Sequence, residues 1–337
     1  MTFTEHVPLA PLTTLGIGGS ARWLAECENE QDLHEAITFA RKKDLPFAVL
    51  GGGSNTLIPD EGFPGLVVKA LIQEVIFEDK GDSVEIESGA GVSWDLLVRM
   101  VAERALWGFE NLAGIPGTVG GAVVQNIGAY GAELSQIFLW ADAYDTHTLF
   151  PLRLMKEDAH LAYRSSIFKD QKDYIVLRAR FRVVRTGEPS LSYPDVLRLK
   201  ESGAPLGTPS EVGDAIRSIR AKKFPPRGGS AGSFFKNLFV SSAEAHALVQ
   251  KFPGLTIFPL PGGRVKIPLA WILDHVLNLR GYTKGRAHLF ENQPLVIVAD
   301  EGATTADVDA LAEDVVARVY EATGIKIERE VEKLSAR

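Results

Sequence analysis

Cysteine is almost missing from this 337-residue chain: Cys27 stands alone, which excludes an intramolecular disulfide and fits a reducing compartment. No run of eighteen apolar residues occurs, so no membrane-spanning helix is expected. The opening MTFTEHVPLAPLTTLG lacks a basic segment followed by an apolar core, so no secretory signal is expected and cytoplasmic residence is. A net charge of −7 argues against a general nucleic-acid binder. The seven histidines show no HxH, HExxH or Cys/His spacing, so no metal is expected. Repeats, low-complexity tracts and long like-charge blocks are absent as well. What is left, 45% hydrophobic and 23% charged residues, is the composition of a globular protein long enough for two or three domains.

Glycine, by contrast, is concentrated. Residues 114–131 read GIPGTVGGAVVQNIGAYG, six glycines in eighteen residues. Such density costs backbone entropy in any helix or strand interior, so neither is expected there. It does supply main chain that can approach a ligand with no Cβ in the way. Tight turns are the plain reading, but Asn126, Ile127, Gly128, Ala129 and Tyr130 set an amide and a phenol among small residues, which suits a cofactor groove. A second glycine run, Gly51, Gly52, Gly53, Ser54 and Asn55, follows the short apolar segment 47–50. It does not complete the dinucleotide fingerprint, because Thr56 stands where a third glycine belongs and no amphipathic helix follows. No Walker A sequence is present. Phosphates would be held by successive backbone N–H groups and the Ser54 and Asn55 side chains, a nest; a plain glycine hairpin is the alternative.

Periodicity places the remaining elements. Asn29 caps a helix carrying Leu33, Ala36, Ile37 and Ala40, so residues 1–70 form a small β-α-β-β unit. Strands are expected near 75–77, 84–87, 137–144 and 174–183, with a helix after Ser93. In the last strand Arg178, Arg180 and Arg182 alternate with apolar residues and read as a solvated face. Thr208-Pro209-Ser210-Glu211 is a capping box that opens a helix and a new domain. Helices follow at Ser242–Lys251, 268–279 and Thr305–Thr323, with a strand at 295–299 and an extended end at 325–334. The expected division is 1–70, 71–207 and 208–323, with 324–337 returning to the second segment: an α+β fold.

Three stretches are too polar for their surroundings: Tyr163-Arg164-Ser165-Ser166-Ile167-Phe168-Lys169, the basic group Arg217, Arg220, Lys222, Lys223 and Arg227, and Glu328-Arg329-Glu330. The basic group is either a solvated helix end favoured by the dipole or a diphosphate grip. Ser233 follows a glycine turn and precedes two phenylalanines. No nucleophile elbow surrounds it, so it is a turn residue or a hydroxyl aimed into a pocket, not a hydrolase nucleophile.

Taken together, GGGSN at 51–55, GIPGTVGG at 114–121, NIGAYG at 126–131, YRSSIFK at 163–169, GSFFKN at 232–237 and the terminal glutamate resemble the UDP-N-acetylenolpyruvoylglucosamine reductase family, in register over nearly the whole chain. The resemblance implies an FAD-binding pair of domains of the vanillyl-alcohol-oxidase type and a third, substrate-binding α+β domain. It implies non-covalent FAD held by Gly51, Gly52, Gly53, Ser54, Asn55, Gly114, Ile115, Pro116, Gly117, Gly120, Gly121, Asn126, Gly128, Ala129, Tyr130 and Gly131. NADPH is the implied co-substrate, and an enolpyruvyl sugar nucleotide the implied substrate of a monomeric enzyme. Arg164 matches the arginine that holds the substrate carboxylate, Ser233 the proton-donating serine, and Glu330 the assisting glutamate. Tyr163, Tyr193, Lys223, Asn237 and Gln293 match substrate positions, Tyr193 in the manner of the type I branch. Departures are Arg329 and Leu238, both at places where the family often has proline, and a longer spacing after His288. Two rivals remain open: another FAD oxidoreductase on the same scaffold, and a colourless nucleotide-sugar-binding protein without NADPH oxidation.

Overall fold

The structure, a computed structural model, describes residues 1–226 and 229–336; Arg227 of the basic group and Gly228 lie outside the described residues. Its first segment is a four-stranded sheet in the order Phe3–Pro8, Ser20–Cys27, Phe63–Ala70, Phe47–Leu50. The first pair is antiparallel and the other two parallel. Helix α1 (Glu30–Lys42) makes the crossover, because Asn29 accepts the Asp32 N–H at 2.9 Å and the stripe Leu33, Ala36, Ile37, Ala40 is buried. The sheet thus has one strand before the helix more than the expected β-α-β-β unit. Phe47–Leu50 ends at the glycine run, so 51–55 sits at the rim of the sheet.

A five-stranded antiparallel sheet follows, in the order Phe150–Met155, Phe138–Asp145, Tyr174–Val184, Ser83–Gly89, Val75–Asp79. The arginine face of its central strand is not simply solvated. Arg180 and Arg182 stand opposite Glu87 and Glu85, and Arg180 Nε donates to Glu85 at 2.8 Å while its guanidinium also meets Glu78 and Glu87. Cross-strand carboxylates convert a charged stripe into a half-buried ladder, which periodicity alone cannot reveal. Against the other face pack helix α2 (Trp94–Ala102) and helix α3 (Val119–Gln125). Ser93 occupies the α2 N-cap position without a side-chain bond.

Helix α3 lies inside the glycine-rich stretch, where no helix was expected. Thr118 caps it, and Val119, Ala122 and Val123 are buried. Gly120 is required by contact: a Cβ there would stand 2.9 Å from the Ala90 Cβ. The entropy penalty of glycine is real, but close packing of helix against sheet outweighs it here.

Helix α4 (Ile167–Asp170) and helix α5 (Pro194–Glu201) lead to helix α6 (Pro209–Lys223), opened by the expected capping box between Thr208 and Glu211. Beyond it lie a sheet in the order Ser230–Ser233, Gln293–Ala299, Ala287–Phe290, Thr283–Lys284 and a second one in the order Leu238–Ser241, Arg264–Ile267, Phe258–Pro259. Helix α7 (Ser242–Lys251) is as expected. The helix expected at 268–279 is instead a single turn, α8 (Leu269–Trp271), running into a π-helical stretch Ile272–Val276. Asn278 ends it at φ +52°, a left-handed conformation that asparagine tolerates. Helix α9 (Thr305–Thr323) stops at Gly324 with φ +74°.

The chain's end does not simply rejoin the second segment. Residues 328–330 run beside 234–236, with Lys236 N donating to Glu328 O and Glu330 N to Phe234 O at 2.8 Å. The strand Glu332–Lys333 then pairs in parallel with Thr56–Leu57 of the first segment. Contact with the second segment is through side chains, Arg164 with Glu330 and Lys169 with Glu332. Among the described residues, no helix is long and apolar enough to cross a membrane.

Candidate active site

The two glycine-rich stretches face each other. A Cβ on Gly52 would stand 2.7 Å from the Gly117 Cα, one on Gly51 2.9 Å from the Thr118 hydroxyl, and one on Gly117 2.7 Å from Ser54 Oγ. Only glycine permits this approach, and Gly117 also needs φ +112°. The cavity they border has a volume of about 380 Å³. Main chain dominates its inner wall. The expected side-chain donors of the nest are used on the protein: Ser54 Oγ donates to Pro116 O at 3.0 Å and Asn55 Nδ2 to Glu330 O at 3.1 Å. Backbone amides and the Thr118 hydroxyl are thus the groups this wall offers.

Three residues from distant parts of the chain line the same cavity: Arg164, Ser233 and Glu330. Ser166 caps α4, and the loop before it turns back so that Arg164 adopts φ +53°. Its Nε donates to Glu330 Oε1 at 2.6 Å and its terminal nitrogen to Gly128 O at 2.8 Å; both side chains of the pair are largely buried, 17% and 16% exposed. Burial works against the guanidinium's charge, but Glu330 and Tyr163 more than offset it, and the pKa of Arg164 lies above its ordinary value. Ser233 ends the strand Ser230–Ser233, directed by Gly232 at φ +78°. Its hydroxyl has no hydrogen-bond partner among the described residues. A fixed cation, a free hydroxyl and a carboxyl thus converge on one space, the set a developing carboxylate-linked anion requires.

A second corner of the cavity is aromatic and basic. Tyr130 and Tyr193 meet edge to face at 5.2 Å, and Lys223 Nζ lies 5.9 Å from the first ring and 6.0 Å from the second. Lys223 is ion-paired with Asp195. Burial pushes the Tyr130 phenol up to about 12 and the Tyr193 phenol in the same direction. Arg220, also at the wall, donates through Nε to Gly114 O at 2.9 Å, and burial holds its pKa below the ordinary value.

A family described as "FAD binding domain" matches residues 21–146, and one described as "UDP-N-acetylenolpyruvoylglucosamine reductase, C-terminal domain" matches residues 224–334. The UDP-N-acetylenolpyruvoylglucosamine reductase of Pseudomonas aeruginosa is 40% identical over 331 residues, covering 97% of both chains. That of Shigella boydii is 35% identical over 332 residues, covering 97% of this chain and 96% of its own. The crystal structure of the Thermus caldophilus enzyme covers 99% of this chain and 100% of its own, with a TM-score of 0.67 at 27% identity. The chain belongs to the UDP-N-acetylenolpyruvoylglucosamine reductase family.

Of the FAD positions the family resemblance implies, Gly51 to Asn55, Ile115, Pro116, Gly117, Gly120, Gly121, Gly128, Ala129 and Tyr130 line the cavity, as do Tyr193, Lys223 and Gln293. Gly114, Asn126 and Gly131 do not. Gly114 holds Asp95 and Arg220 through its backbone. Asn126, buried at φ +39°, ends α3 and bonds Ala162 O and Ser135 N. Tyr163 and Asn237 are likewise outside the lining: the Asn237 backbone N–H and side-chain amide each lie 3.4 Å from the Tyr163 hydroxyl, and Tyr163 packs on Phe239 at 4.7 Å. Leu238 opens the strand opposite Ile267, and Arg329 pairs with Asp309 of α9, so the two family departures fall on packing contacts. Sequence reasoning left Thr118, Gln125 and Glu332 out of the site. Each lines it, and the N-cap signal of Thr118 was legible had a helix been expected there.

Proposed function

We propose that the protein reduces UDP-N-acetylglucosamine enolpyruvate to UDP-N-acetylmuramate with bound FAD and NADPH. The observation that carries this is the convergence of Arg164, Ser233 and Glu330 on a cavity that glycine backbone also borders. The donor set fits the cofactor: facing glycines that a Cβ would separate leave amides for a diphosphate and a side-chain-poor slot for a ring system. The residues at 51–53, 115–117, 120, 121 and 128–130, with Thr118 and Arg220, would hold it. When bound, FAD accepts hydride from NADPH and supplies it to the enolpyruvyl double bond.

Product differs from substrate by a hydride at the methylene carbon and a proton at its neighbour. The chain's residues therefore have two tasks, to hold negative charge on the carboxylate as it builds and to deliver that proton. Arg164 does the first: its position is fixed by Glu330 and Gly128, so its charge needs no reorganisation in the transition state. Ser233 does the second. An alcohol is a weak acid, but an enolate-like carbon is a strong base, and the hydroxyl has no competing partner among the described residues. Glu330 orients Arg164 through one carboxylate oxygen and itself lines the cavity. Lys223 and Tyr193 grip the diphosphate, Gln293 contacts the sugar nucleotide, and the Tyr130–Tyr193 pair keeps water out. NADPH and the sugar nucleotide take the same space in turn. The enzyme acts as a monomer in the cytoplasm, supplying peptidoglycan precursor and through it cell-wall growth, cell shape and division.

The test is anaerobic stopped-flow of the purified protein. The account expects a yellow protein whose flavin is bleached by NADPH and restored by the enolpyruvyl nucleotide. A colourless protein, or a reduced flavin that this substrate does not reoxidise, overturns it.

A further inference from the structure

We propose that Lys169 is a positioning residue for the reduction: it sets the Arg164–Glu330 pair without touching substrate. The inference rests on the function proposed above. Lys169 Nζ donates to Arg164 O at 3.1 Å and to Gln125 Oε1 at 2.9 Å, and pairs with Glu332 Oε1 at 2.6 Å. An ammonium has three N–H donors, and all three are used. Gln125 Nε2 in turn donates to Glu332 Oε1 at 3.2 Å, closing a ring among the three side chains. The lysine is 16% exposed, so the node is built around a largely buried ammonium.

The node's three acceptors come from three parts of the chain, and each bears on the site. Arg164 O belongs to a residue in the left-handed region, a conformation that persists only when its surroundings impose it. A bond to its carbonyl is one such constraint. Gln125 is the last residue of α3, whose preceding carbonyl, Val124 O, accepts from Ser166 Oγ at 2.7 Å. Glu332 lies two residues beyond Glu330, across a bend at 330–331, and both line the cavity. Holding Glu332 therefore tethers the short segment that carries the carboxylate bonded to Arg164. One ammonium thus locks the loop bearing the cation to the terminal segment bearing its partner.

The experiment compares flavin reduction by NADPH with reoxidation by the enolpyruvyl nucleotide in Lys169→Met, Glu332→Gln and the double variant. The cation's misplacement falls on the second half-reaction alone. Reoxidation in Lys169→Met is expected to slow by about 10- to 100-fold, while flavin content and reduction stay within about twofold of the parent. The double variant is expected to be no slower than Lys169→Met, because both changes break one node. Equal slowing of both half-reactions, parental reoxidation, or losses that multiply in the double variant overturns the proposal. Should Lys169→Met fail to fold with flavin, Glu332→Gln alone decides, since its carboxylate is half exposed: selective slowing supports the node and parental reoxidation overturns it. Failure of the functional reading is separately visible, because the parent enzyme itself would then not be reoxidised.

Discussion

Arg164 combines a left-handed backbone with a guanidinium anchored at two points, so its position is determined more tightly than its charge requires. Lysine in its place keeps the charge but loses the planar fork that meets Glu330 and Gly128 together. Arg164→Lys is expected to lower kcat/KM for the enolpyruvyl substrate about 100-fold and to leave NADPH reduction of the flavin near its parental rate. Steady-state rates at varied substrate, with the half-reactions measured separately, check this. Tyr130 gives a pH expectation. Burial raises its phenol to about 12, and a group raised by burial stays neutral below that value, so it remains a hydrogen-bond donor over the working range. No kinetic limb should therefore appear near the ordinary tyrosine pKa of about 10. A limb there that disappears in Tyr130→Phe contradicts the burial argument. At this scale the sequence named, through the family resemblance, the three side chains here proposed to act on the substrate, but it could not separate cavity residues from their supports. Asn126 and Asn237 carry the same motif signal as their neighbours, yet bond backbone behind the wall.

The elements carry a different lesson, clearest in α3. Glycine density argues against a helix on entropy alone, whereas Gly120 and Gly121 both border the cavity and Gly120 also sits where the helix touches the sheet. The two glycines should answer differently to substitution. Gly120→Ala places a methyl 2.9 Å from Ala90 Cβ and 3.3 Å from its carbonyl, and should destabilise the fold by about 1–3 kcal/mol. Gly121→Ala meets only Thr118 Oγ1 at 3.8 Å, gains helix propensity, and should leave stability unchanged or raised by up to about 1 kcal/mol while weakening FAD retention. Urea unfolding of the apoprotein with flavin content per mole distinguishes them; equal loss of stability would mean that the packing demand is not confined to Gly120. The π-helical stretch Ile272–Val276 was illegible for a related reason: its apolar spacing reads as ordinary helix, and only the bond from Leu277 N to Ile272 O at 3.1 Å, five residues apart, shows the wider turn.

Across the whole molecule, the site exists because separate segments are tied together at few points. Asp95 of α2 is one: it accepts the Gly114 N–H at 2.6 Å and Arg217 Nε of α6 at 3.0 Å. Burial alone would raise its pKa, but Arg217 and the Gly114 amide prevail and hold it below the ordinary carboxylate range. A folded pKa below the unfolded one contributes stability above the unfolded value, which is lost as pH falls through the folded value. Asp95→Asn should therefore cost about 1–3 kcal/mol near neutrality, with the difference from the parent closing in acid below about pH 4. Denaturant unfolding as a function of pH measures it. The C-terminal segment is the other tie, running beside 234–236 and then pairing with 56–57, and this brings Glu330 to Arg164. Local pattern showed only an extended end there, since nothing in a single sequence encodes which strand edge such an end will meet.

The most direct test of the account replaces the one group whose role is chemical and not positional. In Ser233→Ala, bound flavin should be reduced by NADPH at close to the parental rate, while its reoxidation by the enolpyruvyl nucleotide should slow by about 100- to 10,000-fold. Equal loss in both half-reactions, or reoxidation as fast as in the parent, would contradict it.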